Sequence, residues 1–223
     1  FNMGKTILTP KQSQFLEYVA KDKQITGRFY LTGGTALSEF YLQHRISHDI
    51  DLFTEKEEVN QALIEAFLKK GFKELRIVEV KRSQMMGLVS YILVFEDKQE
   101  LKVDFNYYPF PRIEKGTYFK DLEVDSVYDI AVNKLHTIFM KPRSRDYLDL
   151  FLIMQKYSYS LDKLILAAKA KFDWHIDRIT LASQFIKVTD TDESSMMMTP
   201  FNKKGMDEFF LKLAKSLEGE IFK

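Results

Sequence analysis

The sequence predicts an α+β fold: a mixed sheet with helices in the front half, followed by an all-helical C-terminal region. Three observations predict it. Short strand-like runs bounded by turn residues crowd between residues 28 and 107. From residue 126 onward the apolar positions recur at helical spacing. Strands and helices come in separate runs rather than in alternation, which argues against a doubly wound parallel sheet. The boundary lies between the two patterns, giving an α/β domain over 3–115 and a helical domain over 125–223.

The elements follow in order. Thr9 is an N-cap, and Pro10 sits at the first helical position of a pattern through Phe15, Leu16 and Val19. Residues 28–32 read as a short buried strand. Gly33-Gly34 turns the chain, and 35–43 is helical with Ala36, Leu37, Phe40 and Tyr41 at core spacing. Residues 49–53 form the next strand, and 57–70 an amphipathic helix closed by Gly71. Strands are expected at 75–81, 88–95 and 100–107, the last two joined by a hairpin turn at 96–99. Pro109 and Pro111 end the sheet region, and helices are expected at 126–140, 144–156, 161–171, 175–187 and 205–218. The polar stretch 189–204 reads as a long connection, or as a partner-binding strip through its run of three methionines from Met196 to Met198.

Bulk properties narrow the classes. A chain of 223 residues is long enough to bury a sizeable core. A net charge of +1 gives no global field toward nucleic acid, so a polynucleotide partner needs a local basic patch. The absence of cysteine excludes disulfides, thiolate metal sites and cysteine nucleophiles. No apolar run approaches the ~20 residues of a membrane span. Phe1 and Asn2, ahead of Met3, read as an extraneous remnant, and no signal-peptide pattern follows them, so the expected location is cytoplasmic.

The chemistry concentrates in Asp49-Ile-Asp51. Residues i and i+2 of a strand share a face, about 6.5–7 Å apart, so the two carboxylates project together while Ile50 and Leu52 point into the core. Aspartate is depleted in strands, and paired carboxylates on a sheet repel and lose hydration unless a cation offsets them. Magnesium shared with substrate phosphates meets that need. The strand around Asp104 repeats the design: Leu101, Val103 and Phe105 face one side, Lys102, Asp104 and Asn106 the other. If it pairs beside the first, Asp104 becomes a third carboxylate, enough for two ions.

Gly33-Gly34 stands where a strand becomes a helix, and the amides of Gly34, Thr35 and Ala36 there suit an anion. The Thr35 hydroxyl can donate to the same phosphate. There is no Gly-Lys-Ser/Thr sequence, so this is not a P-loop. Arg45 and Ser47 lie in the connection to the acidic strand; Arg45 either forks onto phosphate or pairs with Asp49 or Asp51. His44 and His48 have the spacing of a zinc peptidase, but Arg45 stands where that motif needs glutamate. In the helical half, Lys134 can reach a triphosphate or orient a nucleophile, Ser144 can cap a helix, and Arg145 with Asp146 can form a buried pair. Asp146 and Asp149 share a helix face. Lys163, Lys169, Lys171, His175 and Arg178 around Trp174 are either a nucleic-acid surface or a solvated helix face with a buried tryptophan.

Together, the segments from Leu31 to Leu37 and from Arg45 to Phe53, with Asn133-Lys-Leu and Arg145-Asp-Tyr-Leu-Asp149, resemble the AbiEii-type nucleotidyltransferases. These are toxins of type IV, abortive-infection, toxin–antitoxin systems. The resemblance spans roughly residues 29–155. It implies a polymerase-β-like nucleotidyltransferase sheet followed by helices, and Mg-dependent transfer of a nucleotide from an NTP, with members acting on tRNA. It also implies an antitoxin partner, while the lack of a long apolar run leads to the expectation of no membrane partner. Carried over, Asp49 and Asp51 match the metal pair, and Gly33, Gly34 and Thr35 match the phosphate turn. Lys134, Arg145 and Asp146 match the downstream motif, while Asp104 matches a third acid by strand position. Two other classes fit the same residues: a nucleotide-binding module without turnover, and nucleotidylation of a small molecule such as an antibiotic.

Overall fold

Thr9 and Pro10 start the first helix through a reciprocal capping box. The Thr9 hydroxyl accepts from the Gln12 amide at 3.2 Å, and the Gln12 side chain accepts from the Thr9 amide at 2.9 Å. This computed structural model describes residues 6–191 and 197–218. In chain order the elements are α1 (Pro10–Lys21), α2 (Lys23–Thr26), β1 (Tyr30–Thr32), α3 (Gly33–Leu37) running into a π-helical turn (Ser38–Leu42), and β2 (Ile50–Thr54). Then come α4 (Gln61–Leu75), β3 (Ile77–Met85), β4 (Leu88–Phe95), β5 (Glu100–Tyr107), β6 (Thr117–Phe119) and β7 (Leu122–Val124). The helices α5 (Val127–Met140), α6 (Ser144–Tyr157), α7 (Leu161–Phe172), α8 (Arg178–Ile186) and α9 (Lys203–Glu218) follow, with a 3₁₀ turn (Lys187–Asp190) after α8. The architecture is α+β as expected. No helix among the described residues is long and apolar enough to cross a membrane.

The chain divides into two units. One holds residues up to Pro111 with Lys115–Ser126; the other holds Arg112–Glu114 and the chain from Val127 onward.

In the first unit, seven described strands form one mixed sheet in the order β3-β4-β5-β2-β1-β7-β6. β2 lies centrally, antiparallel to β1 and parallel to β5. Leu31, Ile50, Leu52, Val103 and Phe105 are fully buried on its apolar side. There Phe105 meets Phe29 and Tyr91 edge-on, at 5.2 and 5.9 Å between ring centres. Pro109 and Pro111 do not end the sheet: β7 returns to lie parallel to β1, with Leu31 opposite Val124. Strands of three residues are too short to carry a readable alternation.

The fourth helix also departs from expectation. It runs from an Asn60 cap, whose side chain accepts from the Leu63 amide at 3.1 Å, to Arg76 in the left-handed region at φ 57°. Gly71 lies inside it rather than at its end. A Cβ on Gly71 would stand 2.8 Å from the Tyr18 ring, and the Tyr18 hydroxyl donates to the Phe67 carbonyl at 3.1 Å. The glycine is a close-approach residue between α1 and α4, which outweighs its low helix propensity.

The second unit packs α5 to α9 around Leu135, Ile138, Leu150, Ile153, Phe185 and Phe210. Phe210 touches Tyr147, Phe185 and Phe209 at 5.2–5.3 Å between ring centres. Asp129 on α5, fully buried, accepts from Lys171 of α7 at 2.7 Å and from the Ile113 and Glu114 amides. That buried carboxylate attaches the short 112–114 segment to the helices. α8 begins at Arg178 rather than 175, because the Asp177 side chain accepts from the Thr180 amide at 2.6 Å. Of the 189–204 connection, residues 192–196, including Met196, lie outside the described residues; Met198 is exposed.

Thr9→Ala removes the capping hydroxyl and should lower stability by about 1 kcal/mol. Urea unfolding of the two chains, with an unchanged slope, measures it.

Candidate functional site

The parallel pairing of β2 with β5 places Asp51 opposite Asp104, and the antiparallel pairing with β1 places Thr32 opposite Asp51. Ser90 of β4 stands opposite Asp104. Paired residues point to the same side of a sheet, so Thr32, Asp51, Asp104 and Ser90 form one row across four strands. Asp49 immediately precedes β2 and shares the face of Asp51. Asp104 is buried; one of its oxygens, Oδ1, is shut from solvent and has no hydrogen-bond partner among the described residues.

Lys102, two residues before Asp104, projects onto the same face. Its ammonium lies 2.6 Å from Asp104 Oδ2 and 3.5 Å from Asp49 Oδ2. Partial burial pulls the ammonium pKa down. The Asp104 hydrogen bond and the charges of Asp104, Asp49 and Asp51 outweigh that, holding it above its ordinary value. The sequence pattern puts Lys102 on this face, but nothing in the pattern says that its tip turns back onto the acids. Among the described residues, no group of three or more His, Asp or Glu side chains closes on one point; here the carboxylates gather on an ammonium instead.

The Gly-Gly turn abuts this row. Gly33 has φ +73°, and a Cβ there would come within 2.2 Å of Asp51 Oδ2. Both the left-handed backbone and the space require glycine. A Cβ on Gly34 would come within 2.5 Å of Arg45 Nη2 and 2.9 Å of Ser47 Oγ. The turn therefore has acid on one side and guanidinium on the other. Arg45 is 1% exposed, and its Nη1 donates to the Ile46 carbonyl at 3.0 Å. Ser47 is held from behind, its carbonyl accepting from Gln12 at 2.7 Å. Thr35 does not present its hydroxyl to a phosphate: it donates to the Asp49 carbonyl and ties the start of α3 to the acidic segment. Thr32 donates to the fully buried Asp125 at 2.6 Å, fastening the β1 end of the turn to the chain after β7. Asp125 carried no signal in the sequence, because its partner lies 93 residues away.

His44 and His48 do not share a helix face. The segment between the π-helical turn and β2 is not helical; His44 is buried and His48 exposed.

In the helical unit, Lys134 is buried between two acids, 2.8 Å from Asp146 Oδ1 and 2.6 Å from Asp149 Oδ2. Asp146 also binds Arg143 and accepts from its backbone amide. Burial pushes the Asp146 carboxyl up, but the Lys134 and Arg143 charges and hydrogen bonds win and hold it below its ordinary value of 3.8. The expected Arg145–Asp146 pair is therefore replaced by Arg143–Asp146. The N-cap and third helical positions face each other, whereas adjacent residues point apart. By the same geometry Arg143, not Ser144, is the N-cap. Arg145 borders a cavity of about 480 Å³ with Arg143, Ser144, Lys187, Asp190 and Thr191. Near Trp174, which is 54% exposed, Lys171 is spent on Asp129 and Arg178 faces Asp162 at 3.5 Å. Neither the buried-tryptophan reading nor the full basic cluster stands.

The chain matches, over residues 14–216, the model of a family described as nucleotidyl transferase AbiEii toxin, type IV TA system. It is 26% identical over 215 residues to the uncharacterized protein aq_aa25 of Aquifex aeolicus strain VF5, covering 93% of this chain and 96% of that protein. The crystal structure of JHP933 from Helicobacter pylori is similar in fold, with a TM-score of 0.60 at 19% identity. It covers 93% of this chain and 90% of that one. A candidate nucleotidyltransferase from the same species has a TM-score of 0.61 at 18% identity, covering 96% and 97% of the two chains.

Gly33→Ala forces a side chain into the left-handed region and against Asp51; a loss of about 1–2 kcal/mol is expected in denaturant unfolding. Asp146 has a folded pKa below its unfolded one, so its contribution is complete above the unfolded value and fades as pH falls through the folded one. The stability gap between the native chain and Asp146→Asn should thus be widest at neutral pH, about 3 kcal/mol. It should narrow below pH 3.8. Thermal unfolding across pH measures the gap.

Proposed function

The chain belongs to the AbiEii nucleotidyltransferase toxin family of type IV toxin–antitoxin systems and is a nucleotidyltransferase; from that premise we propose that it transfers a nucleotide from an NTP to an RNA acceptor, tRNA foremost, in a magnesium-dependent reaction restrained by a cognate antitoxin. The observation that carries the reading is the register of Asp51 with Asp104, beside a glycine turn that only glycine can make.

The donor set fits magnesium. Asp49, Asp51 and Asp104 offer hard oxygens on one face, and Asp104 Oδ1 is buried with no partner among the described residues. Magnesium held by these three residues, as one ion or two, would neutralise triphosphate charge and make an acceptor oxygen more nucleophilic. The chain's own groups do the rest. Amides at the Gly33-Gly34 turn, backed by Arg45 and Ser47, receive phosphate oxygens. The acceptor hydroxyl attacks the α-phosphorus and forms a new P–O bond. The bond to the bridging oxygen breaks, pyrophosphate leaves with its electron pair, and the acceptor proton passes to a carboxylate. Lys134 keeps α5 and α6 together through its two acids whatever else it touches.

Incubating the chain with each radiolabelled NTP, total tRNA and magnesium tests the proposal: labelled tRNA is expected. Asp51→Asn should abolish transfer, while circular dichroism shows the variant chain still folded. Absence of transfer from every NTP would overturn the reading. Biological effects that survive Asp51→Asn would favour a binding module without turnover, and label on an aminoglycoside instead of RNA would favour antibiotic modification.

A further inference from the structure

Lys102 is the residue that the proposed reaction leaves without a task. Strand alternation forces it onto the acid face, two residues before Asp104. The β2–β5 register, carried back one residue from the Ile50–Val103 pair, sets it beside Asp49. Its backbone therefore cannot leave the face, but its four-carbon stem lets the ammonium move. The ammonium touches two of the three acids, at 2.6 and 3.5 Å. It satisfies only one oxygen of Asp104 and leaves the buried Oδ1 without a partner among the described residues. The lysine side chain is 40% exposed, so an open path exists along which it can withdraw.

These positions describe a cation that fits the site incompletely. The ammonium meets Asp104 closely and Asp49 at longer range, and its three donor hydrogens cannot replace a coordination shell of hard oxygens. We propose that Lys102 is the resident cation of the acid triad: its ammonium holds Asp49 and Asp104 together before a divalent metal arrives, and the metal must displace it. The inference rests on the metal reading of the triad. It makes Lys102 a residue that sets metal affinity, not one that touches the reacting atoms. The face is kept from like-charge repulsion while metal-free, and the affinity of the bare acids is lowered by the work of moving the ammonium.

Manganese alone, followed by the paramagnetic resonance of the free ion, tests this on the full chain. Lys102→Met should bind Mn²⁺ about tenfold more tightly than the native protein, and Mn²⁺ should raise its melting temperature by more than it raises the native one. Lys102→Arg, which keeps the charge, should stay near the native affinity. Tight binding to the native chain with no gain in Lys102→Met would overturn this inference alone. Failure of the native chain to bind Mn²⁺, or binding unchanged by Asp51→Asn, would overturn the metal reading and this inference with it. A second measurement does not depend on the methionine variant folding. In the native chain with ¹³C-labelled lysines, Mg²⁺ should shift the Lys102 ε-carbon resonance, identified by its loss in Lys102→Arg. A resonance unmoved at saturating Mg²⁺ would overturn the displacement.

Discussion

Parallel pairing of β2 with β5 is the constraint from which the rest of the sheet unit follows. It sets Asp51 opposite Asp104 on one face and the fully buried Leu52 opposite Phe105 on the other. A one-residue slip would carry the acids into the core and the apolar side chains out of it. Hydrophobic burial therefore holds the carboxylates together, although their mutual repulsion opposes it. The neighbouring features answer that opposition or exploit it. Lys102 lends a positive charge, Gly33 gives Asp51 room, and Thr35 and Thr32 anchor the turn from either end.

The helical unit solves a related problem differently. Its charges sit inside the packing: Lys134 with Asp146 and Asp149, and Lys171 with Asp129. Such clusters contribute little net stability compared with apolar packing, yet removing one member strands the others in a poorly solvating interior. Each cluster joins two helices: Lys134 ties α5 to α6, and Lys171 ties α7 to α5. Lys134 and Asp146 carry this duty, so activity lost in their variants needs a stability measurement beside it.

Local chemistry made much of this legible. The Thr9-Pro10 start and strands β4 and β5 follow from caps, alternation and turn residues that act within a few positions. Gly71 shows where local reasoning misleads. A glycine near the end of an amphipathic run usually marks a helix end, but here it makes room for the ring of Tyr18, 53 residues earlier in the chain. β6 and β7 were unreadable because each is held by a neighbour, β7 by β1 and β6 by β7, and not by its own three residues. Arg143 and Arg145 are chemically alike, and only the geometry of a helix start decides which of them meets Asp146.

What the sequence determined by itself was the inventory and its facing: an α+β order, a glycine turn, and three aspartates on alternating positions of apolar strands. Alternation and turn preference are properties of the local backbone, so they survive without knowledge of neighbours. The tertiary structure decided the partners. It chose β5 as the parallel neighbour of β2, bent Lys102 onto the acids, turned the Thr35 hydroxyl to a backbone carbonyl, and exposed Trp174. Those outcomes depend on which distant segments come within a few ångströms, where electrostatics and packing act, and no local pattern encodes that distance.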